Sequence, residues 1–276
     1  MVATASLTQD SVQLAVHDHG HGLPVVFQHG LGGDAAQVAQ TFPETGGLRR
    51  ITAECRGHGA SRLGGTRPFS IRMFAEDVFD AARSRGIMRP VIGGISMGAA
   101  IALHLAHHHA GSIAALILVR PAWTFDPEPA NMAPIRTIAS LLKDHAPEEA
   151  RRLFAASETA AELRANAPDN YASLLGYFDR PDATAFASVL ADIAADGPGV
   201  SEAEAAALAI PTLVIGNSQD AIHPLASART VAQTIRAATF VEVEPKATDK
   251  VRHFAEIRAA ISHFLASETI RSSVSS

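Results

Sequence analysis

The chain has 276 residues, 47% hydrophobic and 18% charged, with 20 Gly, 15 Pro and a formal net charge of −5. That is enough apolar chain for a full core of one or two domains, and too little Gly and Pro for a disordered or collagen-like protein. Mild acidity without a basic block argues against nucleic acid or an anionic membrane as partner and favours a small-molecule substrate.

Residues 1–20 have neither a basic start nor a continuous apolar stretch, and no apolar run approaches the roughly 18–20 residues of a membrane helix, so the expected location is cytoplasmic. Short apolar runs predict strands at 12–17, 25–28, 50–54, 90–93, 114–119, 212–215 and 240–243. Most are too uniformly apolar to have a wet face, and they alternate with helical patterns, which predicts a mostly parallel sheet covered by helices, an α/β fold. His17, His19 and His21 fall in an expected turn after the first run, where zinc would need a third ligand; no metal site is predicted. Cys55 is the only cysteine, so an internal disulfide is excluded. The clearest helix covers 97–110, with Met97, Ile101 and Leu105 on one face and Gly111 as C-cap. His107, His108 and His109 are consecutive and read as its solvated end.

From about 121 to 199 the strand signals stop. Five helical patterns follow one another, separated by Pro and Gly, and read as an insertion. Trp123, Phe125, Phe154, Tyr171, Tyr177, Phe178 and Phe186 would suit a lid over an apolar pocket, although aromatic side chains serve first to pack such a segment together. The tail SETIRSSVSS, residues 267–276, is expected to fray.

Three glycine-rich strings carry the chemistry. In VIGGISMGAAIALHLA, residues 91–106, a buried strand runs into Gly94-Ile95-Ser96-Met97-Gly98 and then a helix. Ser96 needs a very tight turn there, and the positions two before and two after it have no room for a side chain, which raises its hydroxyl over the sheet edge. In VVFQHGLGG, residues 25–33, glycines let the backbone turn its N–H groups outward, so the Leu31 and Met97 amides are the expected oxyanion donors. Neither GxGxxG nor a P-loop pattern is present in that string, so no nucleotide cofactor is expected. ECRGHGAS, residues 54–61, ends another strand in a turn.

Together the three strings resemble the α/β-hydrolase superfamily, in its serine-nucleophile, capped esterase and perhydrolase-like branch. Members carry an HG oxyanion loop, a D-x-R-G-x-G-x-S turn and a GxSxG elbow in this order. Glu54 stands where the family more often has Asp, which is tolerable if that side chain only braces the turn. The resemblance implies a core of 1–120 and 200–276 with a helical cap at 121–199, and it places a triad acid in the loop IGNSQDAIHP, residues 215–224. A serine hydroxyl needs a base that a carboxylate orients. Asp220 is the expected acid, with Asp126 and Asp249 as fallbacks. The family's Gly-His after the last strand is missing: counting back from Phe264-Leu265, Lys246-Ala247 stands in its place. His253 is the nearest remaining candidate and is taken as the base, against a surface or capping role, while His223 is expected at the pocket mouth.

The sequence therefore predicts a cofactor-free serine hydrolase acting on an ester or lactone of a small, largely apolar acid, possible as a homodimer. A receptor on the same scaffold with slow or no turnover is the alternative, given the displaced histidine. An acyltransferase is a third reading that no feature singles out. The serine excludes relatives that use a carboxylate at the elbow.

Overall fold

A computed structural model describes residues 3–9 and 12–270. In chain order its elements are β1 (Ala3–Gln9), β2 (Val12–Gly20), β3 (Leu23–Gln28), α1 (Ala35–Thr41), β4 (Leu48–Ala53), α2 (Ile71–Ser84), β5 (Val91–Ile95), α3 (Met97–His108) and β6 (Ala115–Val119). They continue as α4 (Ala133–Asp144), α5 (Pro147–Ala155), α6 (Glu158–Asn166), α7 (Pro168–Leu175), α8 (Ala183–Ala195), α9 (Glu202–Ala206), β7 (Thr212–Gly216), α10 (Leu225–Thr234), β8 (Ala238–Glu242) and α11 (Lys250–Ala266). The strands form one sheet in the order β1-β2-β4-β3-β5-β6-β7-β8. β1 and β2 form an antiparallel edge, and every pair from β4 onward is parallel. The predicted α/β class, a mostly parallel sheet flanked by helices, is the observed one.

Both faces of the sheet are covered, which is why the central strands carry apolar residues at most positions on both faces. On one face Val25, Phe27, Ile117 and Ile215 pack against Val38 of α1 and Ile257, Ile261 and Leu265 of α11. On the other, Val26, Ile92, Leu116 and Val214 pack against α2, α3 and α10. Between β6 and β7 lie helices α4–α8, and their buried residues, Ile138, Phe154, Leu174, Phe186 and Leu190 among them, continue that second core.

Several local expectations change. No strand is expected at β1, because the alternation in ATASLTQ rests on two alanines and a single leucine, a weak apolar signal; β1 pairs along β2, Leu7 opposite Leu14. β2 runs on to Gly20, so His17 and His19 lie on a strand rather than in a turn; the ladder to β4, with Gly20 opposite Arg49, holds them extended. α3 ends at His108 with His109 as its C-cap, and Gly111 lies in a following short 3-10 turn. The helix is buried from Met97 to Ala106 on all sides, not on one face, because its small residues lie between the sheet and α2. Ile270 is fully buried, so the tail is anchored at least that far; the rest of the predicted frayed segment lies outside the described residues. Among the described residues no helix is long and apolar enough to cross a membrane.

Candidate active site

Ser96 sits between β5 and α3 with φ 56° and ψ −109°, in the left-handed half of backbone space. The close passage of the two elements enforces this turn. A Cβ on Gly94 would lie 2.5 Å from the Gly98 carbonyl carbon, and one on Gly98 would lie 2.5 Å from the Gln28 carbonyl oxygen. Both neighbours are backbone and cannot yield, so the two glycines of GxSxG are steric requirements of the crossing. Met97 is the first residue of α3, and its N–H has no partner within the helix.

The HGLGG loop after β3 is tied down from several sides. Cys55 N–H donates to His29 Nε2 at 3.0 Å, which leaves Nδ1–H to donate to the Gly30 carbonyl at 2.8 Å. Burial lowers the His29 pKa, in keeping with this neutral tautomer. Gly30 N–H donates to Gln37 Oε1 at 2.7 Å, and the Tyr177 hydroxyl donates to the Leu31 carbonyl at 3.0 Å. Glu54 braces the neighbouring turn: its carboxylate accepts from Ala35 N–H at 3.1 Å and Ala60 N–H at 2.7 Å, and His17 Nε2 lies 3.2 Å away. Glu54 thus ties this turn to the start of α1.

Asp220 follows β7, where Gln219 takes φ 57°. Its carboxylate is held on both oxygens. Oδ1 accepts from His223 N–H at 2.9 Å and from Asn170 Nδ2 at 2.9 Å. Oδ2 accepts from Arg120 Nε at 2.9 Å and also pairs with Arg120 Nη2. His223 Nδ1 lies 2.9 and 3.0 Å from the two oxygens. A carboxylate only accepts, so Nδ1 carries the proton and Nε2 has a free lone pair. That lone pair faces Ser96: Nε2 to Oγ is 2.8 Å. Arg120 Nη2 and His223 Nδ1, 3.2 Å apart, are two donors converging on one carboxylate.

The electrostatics follow. Burial alone would raise the Asp220 pKa, but the neighbouring His223 and Arg120 overrule it and hold the carboxyl well below the usual range. Burial pushes the His223 imidazole down; Asp220 pulls it up, Arg120 pushes it down again, and the result lies below the ordinary histidine value. The imidazole is therefore neutral at pH 7, as a proton acceptor must be.

Ser96, His223 and Asp220 thus meet at a strand–turn–helix, beside the glycine loop that follows β3. A family model described as alpha/beta hydrolase fold matches residues 24–255. The chain belongs to the α/β-hydrolase family, and it is an enzyme of that family. This α/β hydrolase is 27% identical over 249 residues to the AB hydrolase superfamily protein YisY of Bacillus subtilis (strain 168), covering 85% of this chain and 88% of the relative. It is 26% identical over 278 residues to a 2-hydroxymuconate semialdehyde hydrolase of Pseudomonas sp. (strain CF600), covering 92% and 91%. Its fold matches the enol-lactonase from Burkholderia xenovorans LB400 with a TM-score of 0.68 at 22% identity, covering 99% of this chain and 100% of the other.

One predicted site residue of the hydrolase is placed elsewhere. His253, taken as the base from sequence, is not the imidazole at Ser96. It lies in the first turn of α11, behind Asp249, whose side chain caps that helix by accepting from Arg252 N–H. Its ring is fully buried, and Nδ1 lies 2.7 Å from the Glu244 carbonyl. α11 begins directly after Asp249, so the preceding loop does not carry position 253 forward to the serine. His223, expected only at the pocket mouth, holds that place. The signal was in the sequence: Asp220-Ala-Ile-His223 puts acid and imidazole one turn apart, and Lys246-Ala247 leaves the usual place without an imidazole.

The cavity over Ser96 has a volume of about 270 Å³, with Leu31, Ile95, Met132, Ile135, Leu174 and Ile222 as its apolar wall. Of the seven aromatic residues suggested for a lid, only Tyr177 reaches that wall; Trp123, Phe154, Phe178 and Phe186 are buried in the core. Of the fallback acids, Asp249 is spent on the α11 cap.

Proposed function

We propose that the protein is a serine hydrolase of the cytoplasm that cleaves an ester or lactone of a small acid through an acyl-enzyme, with Ser96 as nucleophile, His223 as general base and Asp220 as the acid that orients it. The contact that carries this reading is the 2.8 Å approach of His223 Nε2 to Ser96 Oγ, continued through Nδ1 into Asp220. Ser96 Oγ adds to the acyl carbon as its proton passes to His223 Nε2, and the amides of Leu31 and Met97 receive the developing oxyanion. Collapse breaks the carbon–oxygen bond, and the imidazolium returns its proton to the leaving alkoxide. Water, deprotonated by the same nitrogen, then attacks the ester on Ser96 and releases the acid and the serine hydroxyl. Helices α4–α8, within 121–199, act as the cap that closes the cavity.

A complete relay of this kind supports turnover over the binding-only alternative. The relatives named 2-hydroxymuconate semialdehyde hydrolase make a carbon–carbon bond the second substrate type to assay. A fluorophosphonate should label wild type at Ser96 and leave Ser96→Ala untouched. With a p-nitrophenyl ester, His223→Ala should lower kcat by about 10⁴–10⁶-fold, while His253→Ala should lower it less than about tenfold. Equal losses in the two histidine variants, or an intact His223→Ala, would remove His223 from the proposed role.

A further inference from the structure

The charges around the cavity are unevenly placed. Arg120, Arg180 and Lys246 stand on its wall, whereas no Asp or Glu does among the described residues. The carboxylates that pair with these cations lie behind them. Asp220 holds Arg120, Asp182 holds Arg180 Nε at 2.9 Å, and Asp169 holds the Lys246 ammonium at 2.9 Å.

The three cations differ in what they have left to give. Arg120 is committed to the triad acid through two of its nitrogens. Arg180 donates Nε and Nη2 to Asp182, adds the Gly57 carbonyl at 2.9 Å, and lies over the Phe186 ring at 3.7 Å. Lys246 is a point charge on a flexible stem with three N–H donors. Its carboxylate partner takes one of them, and the side chain, 18% exposed, lines the cavity. Lys246-Ala247 stands where the resemblance places the family's Gly-His, so Lys246 falls on the glycine and Ala247 on the histidine. With an imidazole brought to Ser96 from position 223, the segment 246–247 need not carry one, and Lys246 places a positive charge on the cavity wall. That ammonium is close enough to push down the pKa values of both His223 and His253, after burial and their nearer neighbours.

We propose that the cavity selects substrates that carry a free carboxylate besides the bond to be cleaved, half-esters or lactones of small dicarboxylic acids, and that Lys246 is the residue that binds it. This deepens the hydrolase reading and rests on Ser96 as nucleophile. An anionic group entering the cavity meets no like charge on the wall, and the Lys246 ammonium can accept it with donors that Asp169 leaves over.

Two measurements on the full chain test this. The first compares kcat/KM for p-nitrophenyl hydrogen glutarate with that for its methyl diester, the same acyl chain without the charge. Wild type should favour the carboxylate by about tenfold or more, as expected for a charge-assisted contact in a partly dry cavity. Lys246→Met should bring the ratio toward one, and Lys246→Arg should keep most of it. A wild-type ratio near one, or a preference that survives Lys246→Met, overturns the assignment. The second needs no turnover: glutarate should raise the Tm of Ser96→Ala and fail to raise that of Ser96→Ala with Lys246→Met. Equal protection of both, or of neither, also overturns it. The two readings separate cleanly. Glutarate protection without fluorophosphonate labelling keeps the carboxylate site and removes the hydrolase, whereas ester cleavage without charge preference or protection does the reverse.

Discussion

At Asp220 one carboxylate serves two cationic partners, and this sets the pH at which the site can work. Arg120 donates to Asp220, so the carboxylate has a cationic partner besides His223. The same guanidinium disfavours a proton on the imidazole it faces, and so it acts with burial to lower the His223 pKa against the pull of Asp220. If His223 is the base, kcat/KM rises as His223 loses its proton, and the acidic limb of the profile lies below that of an ordinary histidine. Arg120→Gln removes a positive charge from beside the ring. The His223 pKa should then rise and the acidic limb move to higher pH, with kcat at pH 8 affected less than kcat at pH 6. A limb that stays in place in Arg120→Gln would show that the titrating group is not His223. Arg120 itself has φ 49°, a conformation a long side chain seldom adopts; the bond from its N–H to the Ile215 carbonyl at 2.7 Å holds it at the end of β6.

Among the elements, α7 has a part that its sequence does not advertise. It begins at Pro168, is eight residues long, and brings two adjacent polar residues down onto the core. Asp169 meets Lys246, and the buried Asn170 meets the triad loop twice, donating to Asp220 Oδ1 and accepting from Ala221 N–H at 2.7 Å. The segment between β6 and β7 is thus hydrogen-bonded to the acid itself, and Tyr177, just beyond α7, is bonded to the Leu31 carbonyl of the glycine loop. Displacing α7 would loosen both ends of the site together. Asn170→Ala should lower kcat by about ten- to a hundredfold through misplacement of the Asp220–His223 pair, with KM and Tm changed much less. Asn170→Asp adds a negative charge beside Asp220, which favours the imidazolium, so the acidic limb should move to higher pH. A residue that only packs the helix would change Tm in both variants and leave the limb where it was; that outcome would remove Asn170 from the site.

On the scale of the whole molecule, what was legible in the sequence was what local sterics and periodicity write down. Ser96, Asp220, the glycine turns and the five helices between 133 and 195 all follow from short-range patterns, and the structure has these elements where the patterns put them. The Asp220–His223 spacing was in the sequence, but which imidazole reaches Ser96 was not legible, because that depends on which of several loops comes to a given point at the sheet edge. A histidine three residues after the acid and one in the first turn of the last helix look alike until the loop geometry is fixed. β1 was not legible because its stability comes from the neighbouring strand and not from an apolar face of its own. The buried histidines also matter to the stability of the molecule. His29, His58 and His223 are buried, and burial lowers the pKa of each, that of His58 furthest; His58 is enclosed by His29, Phe74 and Phe186. In each case the unfolded chain binds a proton at a higher pH than the folded one. Their contribution to stability is therefore complete above the unfolded histidine value of about 6.5 and is lost as the pH falls below it, with the depressed Asp220 carboxyl adding its own loss further down, below the unfolded carboxylate value. Urea midpoints should be level from pH 8 to 7 and fall steadily from pH 6.5 to 5. His58→Phe, which fills the same aromatic cage without a proton site, should flatten that fall. A midpoint that is level down to pH 5 in wild type, or a slope unchanged in His58→Phe, would mean that these rings take up protons without unfolding the chain.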